Sequence, residues 1–229
     1  MNRTLLAARL PLLTAGSIGW PWLNLVLAFL VSYAVFGSMG DVEGGARTGG
    51  IASVYLTVLV ISANWVAQAL PFALAVGLTR REFFTGTALL VAAQSVAYGV
   101  LLCLLRQAEQ ATGGWGIRMR FFAPPWIAQQ NLAMQFLVYA VPFLVAAFLG
   151  SFVAVVHLRW RLSGVFVLVI GVTLPLGGLA AVVGWRDWWP AVLGWLFDQT
   201  AVSLLAGWSA VLAVALAGAG YLTLRRAAP

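Results

Sequence analysis

Apolar residues form six long runs along the chain, and the charged residues lie in the stretches between them. The runs extend over residues 18–37, 51–76, 86–105, 131–156, 163–184 and 201–224. Each is about as long as the roughly 20 residues that an α-helix needs to cross the hydrocarbon core of a bilayer. The alternating polarity of a membrane β-strand is not seen. The pattern therefore predicts six transmembrane helices.

The first stretch, residues 1–16, is predicted to lie at the membrane surface. Its apolar residues and Arg9 recur at helical spacing, which favours an amphipathic interfacial helix over a cleaved signal peptide. The residues that set this spacing are Leu5, Leu6, Arg9, Leu10 and Leu13.

The stretch 185–200 is unusual because it is too apolar for a loop in water, yet it is interrupted by Pro190 and Gly194. It also contains four tryptophans: Trp185, Trp188, Trp189 and Trp195. A re-entrant pair of short helices that dip into the outer leaflet would account for this composition. A loop within the aromatic belt of the interface would account for it equally well, because such belts are rich in tryptophan. Both interpretations stay open.

Composition sets the class of protein. The chain has 62% hydrophobic and 8% charged residues and a mean hydropathy of +0.97, all far from the values of soluble domains. No stretch between the runs is long enough for a soluble domain. We therefore expect residues 1–229 to form a single all-α transmembrane domain.

The arginines are unevenly distributed between the two sides of such a domain. With six spans both termini share one side, and that side carries Arg3, Arg9, Arg80, Arg81, Arg159, Arg161, Arg225 and Arg226. Eight of the 13 basic residues and one of the six acids fall there, so this side carries about +7 and the other about zero. Since cytoplasmic loops retain positive charge, both termini are expected in the cytoplasm. The basic pI then reflects topology and anionic lipid headgroups, not nucleic acid.

The sequence contains no recognisable catalytic or nucleotide-binding motif. It has no lysine, so the phosphate-binding loop GxxxxGK[ST] is impossible within it. None of the six runs holds an ionisable residue of the kind that proton-coupled transport uses. Cys103 is interpreted as a packing residue and His157 as an interfacial one. No catalytic or metal-binding residue is therefore expected, and energy for active transport would have to come from another chain.

The stretch 77–87, GLTRREFFTGT, carries the most specific local signal. Thr79 and Glu82 match the T-x-x-E capping box, so a helix should begin there with Arg80 and Arg81 in its first turn. The positive-inside rule alone could explain the arginines. However, Glu82 is the only acid on the predicted cytoplasmic side, and it is followed directly by Phe83 and Phe84. This mixture of charged and aromatic residues instead suggests a docking surface.

Residues 70–90, LPFALAVGLTRREFFTGTALL, resemble the coupling segment of ABC-2 type transporter permeases, the type V ABC exporters. The resemblance implies six spans, an interfacial N-terminal helix, and a short cytoplasmic coupling helix between spans two and three. It further implies that a separate ATPase subunit binds ATP and magnesium, and that a second copy or a related permease completes the pathway. The ATPase-coupling residues would be Thr79, Arg80, Arg81, Glu82, Phe83 and Phe84.

Three polar pairs spaced four residues apart are candidates for lining a substrate path. They are Asn64 and Gln68, Gln94 and Tyr98, and Gln135 and Tyr139. Such pairs also tie helices together, so both roles stay open. Their uncharged character would suit a hydrophobic or amphipathic cargo such as a drug, lipid or peptide. The alternatives to a bacterial inner-membrane exporter are a non-transporting scaffold or assembly subunit and, less favoured, a channel or secondary transporter.

Overall fold

The computed structural model describes residues 16–39 and 48–226, and the predicted interfacial helix thus lies almost wholly outside the described residues. The described part is nearly all helical and has no extended strand. Its helices are α1 (Gly16–Met39), α2 (Ala52–Ala75), α3 (Arg80–Ala111), α4 (Leu132–Trp185), α5 (Trp189–Asp198) and α6 (Ser209–Arg226). A π-helical turn, Ser203–Trp208, leads directly into α6.

Five helices in the described part of the chain are long and apolar enough to cross a membrane. They are α1, α2, α3, α4, and α6 together with its preceding turn. All-helical architecture with several such helices is that of a multi-pass membrane protein. The apolar pattern therefore identified both the class of structure and the positions of the long helices.

The predicted fourth and fifth spans both lie within α4, which is interrupted at Arg161 (φ 56°, ψ −150°). A Cβ atom on Gly164 would overlap the Trp160 side chain and would lie 3.3 Å from Val156 Cγ1. In a straight helix, residues eight positions apart are separated by about 12 Å along the axis. The chain therefore turns back sharply at Arg161. We call residues 132–160 and 162–185 the first and second arms of α4.

Helix α3 is longer than predicted and has no separate coupling helix before it. It begins at Arg80 and continues through 32 residues to Ala111. That length corresponds to about 48 Å, well beyond the roughly 30 Å of a bilayer core. Residues 80–87 are thus the first turns of α3 itself, in contrast to the expected short helix. A movement of this segment must also move the rest of the helix.

The first arm of α4 packs against α2, α3 and α6, and two apolar clusters fill the space between them. One cluster includes Leu102, Phe121 and Tyr139, and the other includes Val66, Phe83 and Leu224. We name the corresponding ends of the bundle the Glu109 end and the Arg80 end.

Helix α1 packs mainly on α2, where the Asn24 amide donates to Thr57 Oγ1 at 2.6 Å. A polar bond of this kind between two apolar helices fixes their relative rotation.

Residues 185–200 contain one short helix, not the pair of helices that was one of the two interpretations of the sequence. The chain turns at Asp187, which has a positive φ of 52°, and α5 follows at once. No residue of α5 is buried within the chain. A re-entrant segment and a belt helix differ in how deeply the helix lies in the membrane. Both interpretations of residues 185–200 stay predictions.

Candidate functional site

The start of α3 is built by the capping box that the sequence predicts. The Glu82 backbone N–H donates to Thr79 Oγ1 at 3.2 Å, and the Thr79 backbone N–H donates to Glu82 Oε2 at 2.8 Å. The Thr79 hydroxyl also donates to Glu82 Oε2 at 2.8 Å. These bonds occupy two backbone donors that a helix start leaves open. The start of α3 is consequently well defined.

The two phenylalanines of this segment are directed into the bundle. Phe83 is 2% exposed, and its ring stacks on Trp65 of α2 at a centroid distance of 5.7 Å. Phe84 is half-buried and contacts the Tyr221 ring of α6 at 5.0 Å. The expected role of Phe83 as an anchor for another subunit is therefore incompatible with this packing. Instead the ring fixes the start of α3 to α2.

Arginines at the Arg80 end hold the last turn of α6. Arg80 Nη1 donates to the Arg225 carbonyl at 3.3 Å, and Arg159 Nη1 donates to the Thr223 carbonyl at 3.4 Å. The last carbonyls of a helix lack intrahelical donors and form the negative end of its dipole, so cations stabilise them. Arg80 thus has an internal role that the sequence did not reveal.

The part of the segment left for an external contact is small and polar. Thr79 and Arg81 are exposed, while Arg80 and Glu82 are half-buried. Arg81 is consequently the most accessible cation of the predicted coupling set. It lies on a helix start that is anchored on two sides, by Phe83 on α2 and by Arg80 on α6.

Two of the three polar pairs lie at least partly at the surface of the described bundle. Asn64 and Gln68 are exposed on one face of α2, and the Asn64 amide donates to its own helix at the Val60 carbonyl, 2.9 Å away. Gln94 Nε2 donates to the Tyr98 hydroxyl within α3 at 3.4 Å. The structure thus joins Gln94 to Tyr98, while the Asn64 amide bonds to its own helix.

A buried carboxylate organises the Glu109 end. Glu109 is 3% exposed, and its two oxygens accept the backbone N–H groups of Phe121, Phe122 and Ala123 at 2.8, 2.9 and 3.0 Å. The Trp115 indole N–H donates to the same carboxylate at 3.3 Å. Several donors of this kind compensate a buried charge for its lost hydration. Glu109 thereby fastens the connection between α3 and α4 to the end of α3.

The third polar pair belongs to this same end. The Gln135 carbonyl oxygen accepts the Gln129 N–H at 2.7 Å, and the Tyr139 hydroxyl donates to the Phe122 carbonyl at 2.5 Å. Gln135 and Tyr139 are 0% and 1% exposed. Within this chain they hold the α3–α4 connection, which is the tying role of the two roles that the sequence left open.

Arg106 completes the arrangement from α3. It is 9% exposed, and its Nη2 donates to the Gln129 carbonyl at 2.6 Å. Arg106 and Glu109 lie just beyond the third apolar run, which ends at Leu105, so the apolar pattern alone places them in a loop. Their three-residue spacing, which puts both on one helix face, was the available signal that α3 continues with a buried polar side.

Comparison of the chain with models of known protein families, with curated proteins and with solved structures gave no match. The resemblance of residues 70–90 to the coupling segment of ABC-2 permeases therefore stays a prediction.

Proposed function

We propose that this chain is the membrane-spanning permease subunit of an ATP-driven exporter of the ABC-2 type. In this proposal a separate ATPase subunit binds ATP and magnesium and contacts the start of α3. A second copy of the chain, or a related permease, completes the pathway, and the cargo is hydrophobic or amphipathic. Both termini face the bacterial cytoplasm.

The observation that carries the proposal is the position of Arg81. It is exposed at the start of a long, uninterrupted helix whose first turn is anchored to its neighbours. A charged group in such a position can pair with an acidic group on a partner. Because Phe83 stacks on Trp65 and Arg80 holds the last turn of α6, a displacement of this turn would be transmitted to α2, α3 and α6 together. Switching between inward and outward access requires concerted movement of this kind.

The exposed face of α2 suggests where cargo would pass in an assembled transporter. Asn64 and Gln68 are exposed in a predominantly apolar helix, and polar side chains that face lipid are unfavourable. A second permease subunit facing α2 would enclose them in a polar-lined path.

The test is isolation of the tagged full-length chain from its native membranes. We expect an ATPase with a GxxxxGK[ST] motif to co-purify, and Arg81→Glu to abolish its recovery, since the substitution reverses the exposed charge and leaves the capping box intact. Arg186→Glu is the matched control, because Arg186 is also exposed at a turn but follows the second arm of α4. Recovery of the intact chain without any ATPase would instead support a scaffold.

A further inference from the structure

The turn at Arg161 leaves an apolar groove between the two arms of α4. The first arm contributes Phe152, Val156 and Trp160, and the second contributes Gly164, Val167 and Leu168. We call it the hairpin groove; its volume is about 460 Å³, and Thr223 of α6 borders it. Trp160 and Val167 are 46% and 70% exposed, so the groove is open to the surroundings. In a membrane helix an open apolar groove faces lipid.

Positive charge is concentrated at one end of the hairpin groove. The Arg159 guanidinium lies 4.4 Å from the centre of the Trp160 ring and donates to the Thr223 carbonyl at 3.4 Å. It therefore touches two of the residues that border the groove. Only one of its five N–H donors is engaged in that bond. Arg161 is exposed at the turn itself, and in the described part of the chain neither arginine pairs with a carboxylate.

The charges and the apolar walls are arranged in the same order as the parts of a phospholipid. From Arg159 the groove extends along the first arm to Phe152, about 10 Å at the rise of an α-helix. A headgroup at the arginines would thus place an acyl chain along the walls, toward the apolar middle of the helices. Arginine is also the side chain whose planar fork best matches a phosphate.

We propose that the hairpin groove binds an anionic phospholipid, with its phosphate at Arg159 and Arg161 and one acyl chain between the arms of α4. A lipid with net negative charge is preferred over a zwitterionic one because a choline group would place a positive charge beside the two arginines. The site requires only that α4 lies in a membrane, and it is independent of any ATPase contact.

The test compares phosphatidylglycerol with phosphatidylcholine of identical acyl chains, added to the purified full-length chain in detergent and followed by native mass spectrometry. The wild type should retain phosphatidylglycerol about tenfold more tightly, since each interfacial arginine adds roughly a few-fold in affinity. The double variant Arg159→Gln/Arg161→Gln should lose this preference. Arg186→Gln is the matched control, because Arg186 is stacked on Trp188 but lies outside the hairpin groove.

Two further variants test the groove and the charges separately. One of them also keeps the test valid if the double variant does not fold. Val167→Trp should fill the groove and weaken retention of both lipids without changing any charge. Arg161→Gln alone, at an exposed position, should lower the preference even if loss of the Arg159–Thr223 bond prevents folding of the double variant. Equal retention of the two lipids by the wild type would overturn the proposal. So would displacement of the lipid by inorganic phosphate, which would indicate an anion site without an acyl-chain groove.

Discussion

The buried carboxylate of Glu109 lies 2.8 Å from the backbone nitrogen of Phe121, and the next two backbone N–H groups point at the same carboxylate. One side chain at the end of α3 thus satisfies three consecutive amides of the connection to α4. The connection is held by this carboxylate from one side and by Gln135 and Tyr139 of α4 from the other. Its conformation is therefore expected to be sensitive to single substitutions.

The first prediction concerns Glu109→Gln. An amide retains one acceptor oxygen but directs an NH₂ group toward backbone donors, so at least one buried amide loses its partner. Hydrogen bonds to charged groups contribute about 1.5–3 kcal/mol each, so we expect the free energy of unfolding to fall by about 2 kcal/mol or more. Unfolding of the purified protein in detergent, followed by tryptophan fluorescence, measures this change.

The control for this substitution is Asp198→Asn, which makes the same chemical change at an exposed acid at the end of α5. It should alter the unfolding free energy by less than about 0.5 kcal/mol. Equal stability of the two variants would show that the Glu109 carboxylate does not hold the α3–α4 connection in place.

Periodicity and local chemistry predicted much of this fold. The apolar runs located the long helices, and the pair Thr79 and Glu82 located the start of α3 to the residue, because a capping box depends only on neighbours in sequence. The end of α3 was missed by the same approach. Hydropathy treats Arg106 and Glu109 as loop residues, but their partners belong to Gln129 and to residues 121–123, which only the folded chain brings near.

In the candidate site, too, some features follow from neighbours in sequence and others only from residues that the fold brings near. Arg81 is exposed, whereas Phe83 is buried because Trp65, 18 positions earlier, provides a ring to stack on. Nothing in the local sequence distinguishes a phenylalanine that anchors a partner from one that anchors its own helix. Likewise, Gln135 and Tyr139 have the spacing of a polar stripe, but their role follows from the loop that folds over them.

The second prediction is that Gly150→Ala is strongly destabilising. A Cβ atom at Gly150 would overlap the Leu59 carbonyl oxygen and lie 3.1 Å from the Ala63 nitrogen, both backbone atoms of α2. Because backbone cannot move aside as a side chain does, α4 and α2 would have to separate. The expected loss is about 1–3 kcal/mol or more. Gly171→Ala, in the second arm where a Cβ meets nothing within 4 Å, should be neutral or slightly stabilising.

The third prediction is that Thr79→Ala loosens the start of α3 without unfolding the protein. Loss of a threonine N-cap costs about 1 kcal/mol. Hydrogen exchange should therefore accelerate at the first backbone amides of α3 and stay unchanged near Ala111. Thr85→Ala is the comparison, since Thr85 Oγ1 bonds only to carbonyls of its own helix, at Arg81 and Glu82. Faster exchange in both variants to the same extent would show that the capping box does not define the helix start.

The last prediction concerns the anchor between α3 and α2. Phe83→Ala removes a fully buried ring and leaves Trp65 without its stacking partner, so the free energy of unfolding should fall by about 3–5 kcal/mol. The matched control is Phe197→Ala, because Phe197 is 80% exposed on α5 and its loss should cost little. If Phe83 instead faced a partner subunit, its removal would leave the isolated chain as stable as the control and would weaken only the complex. Unfolding of the chain alone therefore distinguishes an internal anchor from a docking residue.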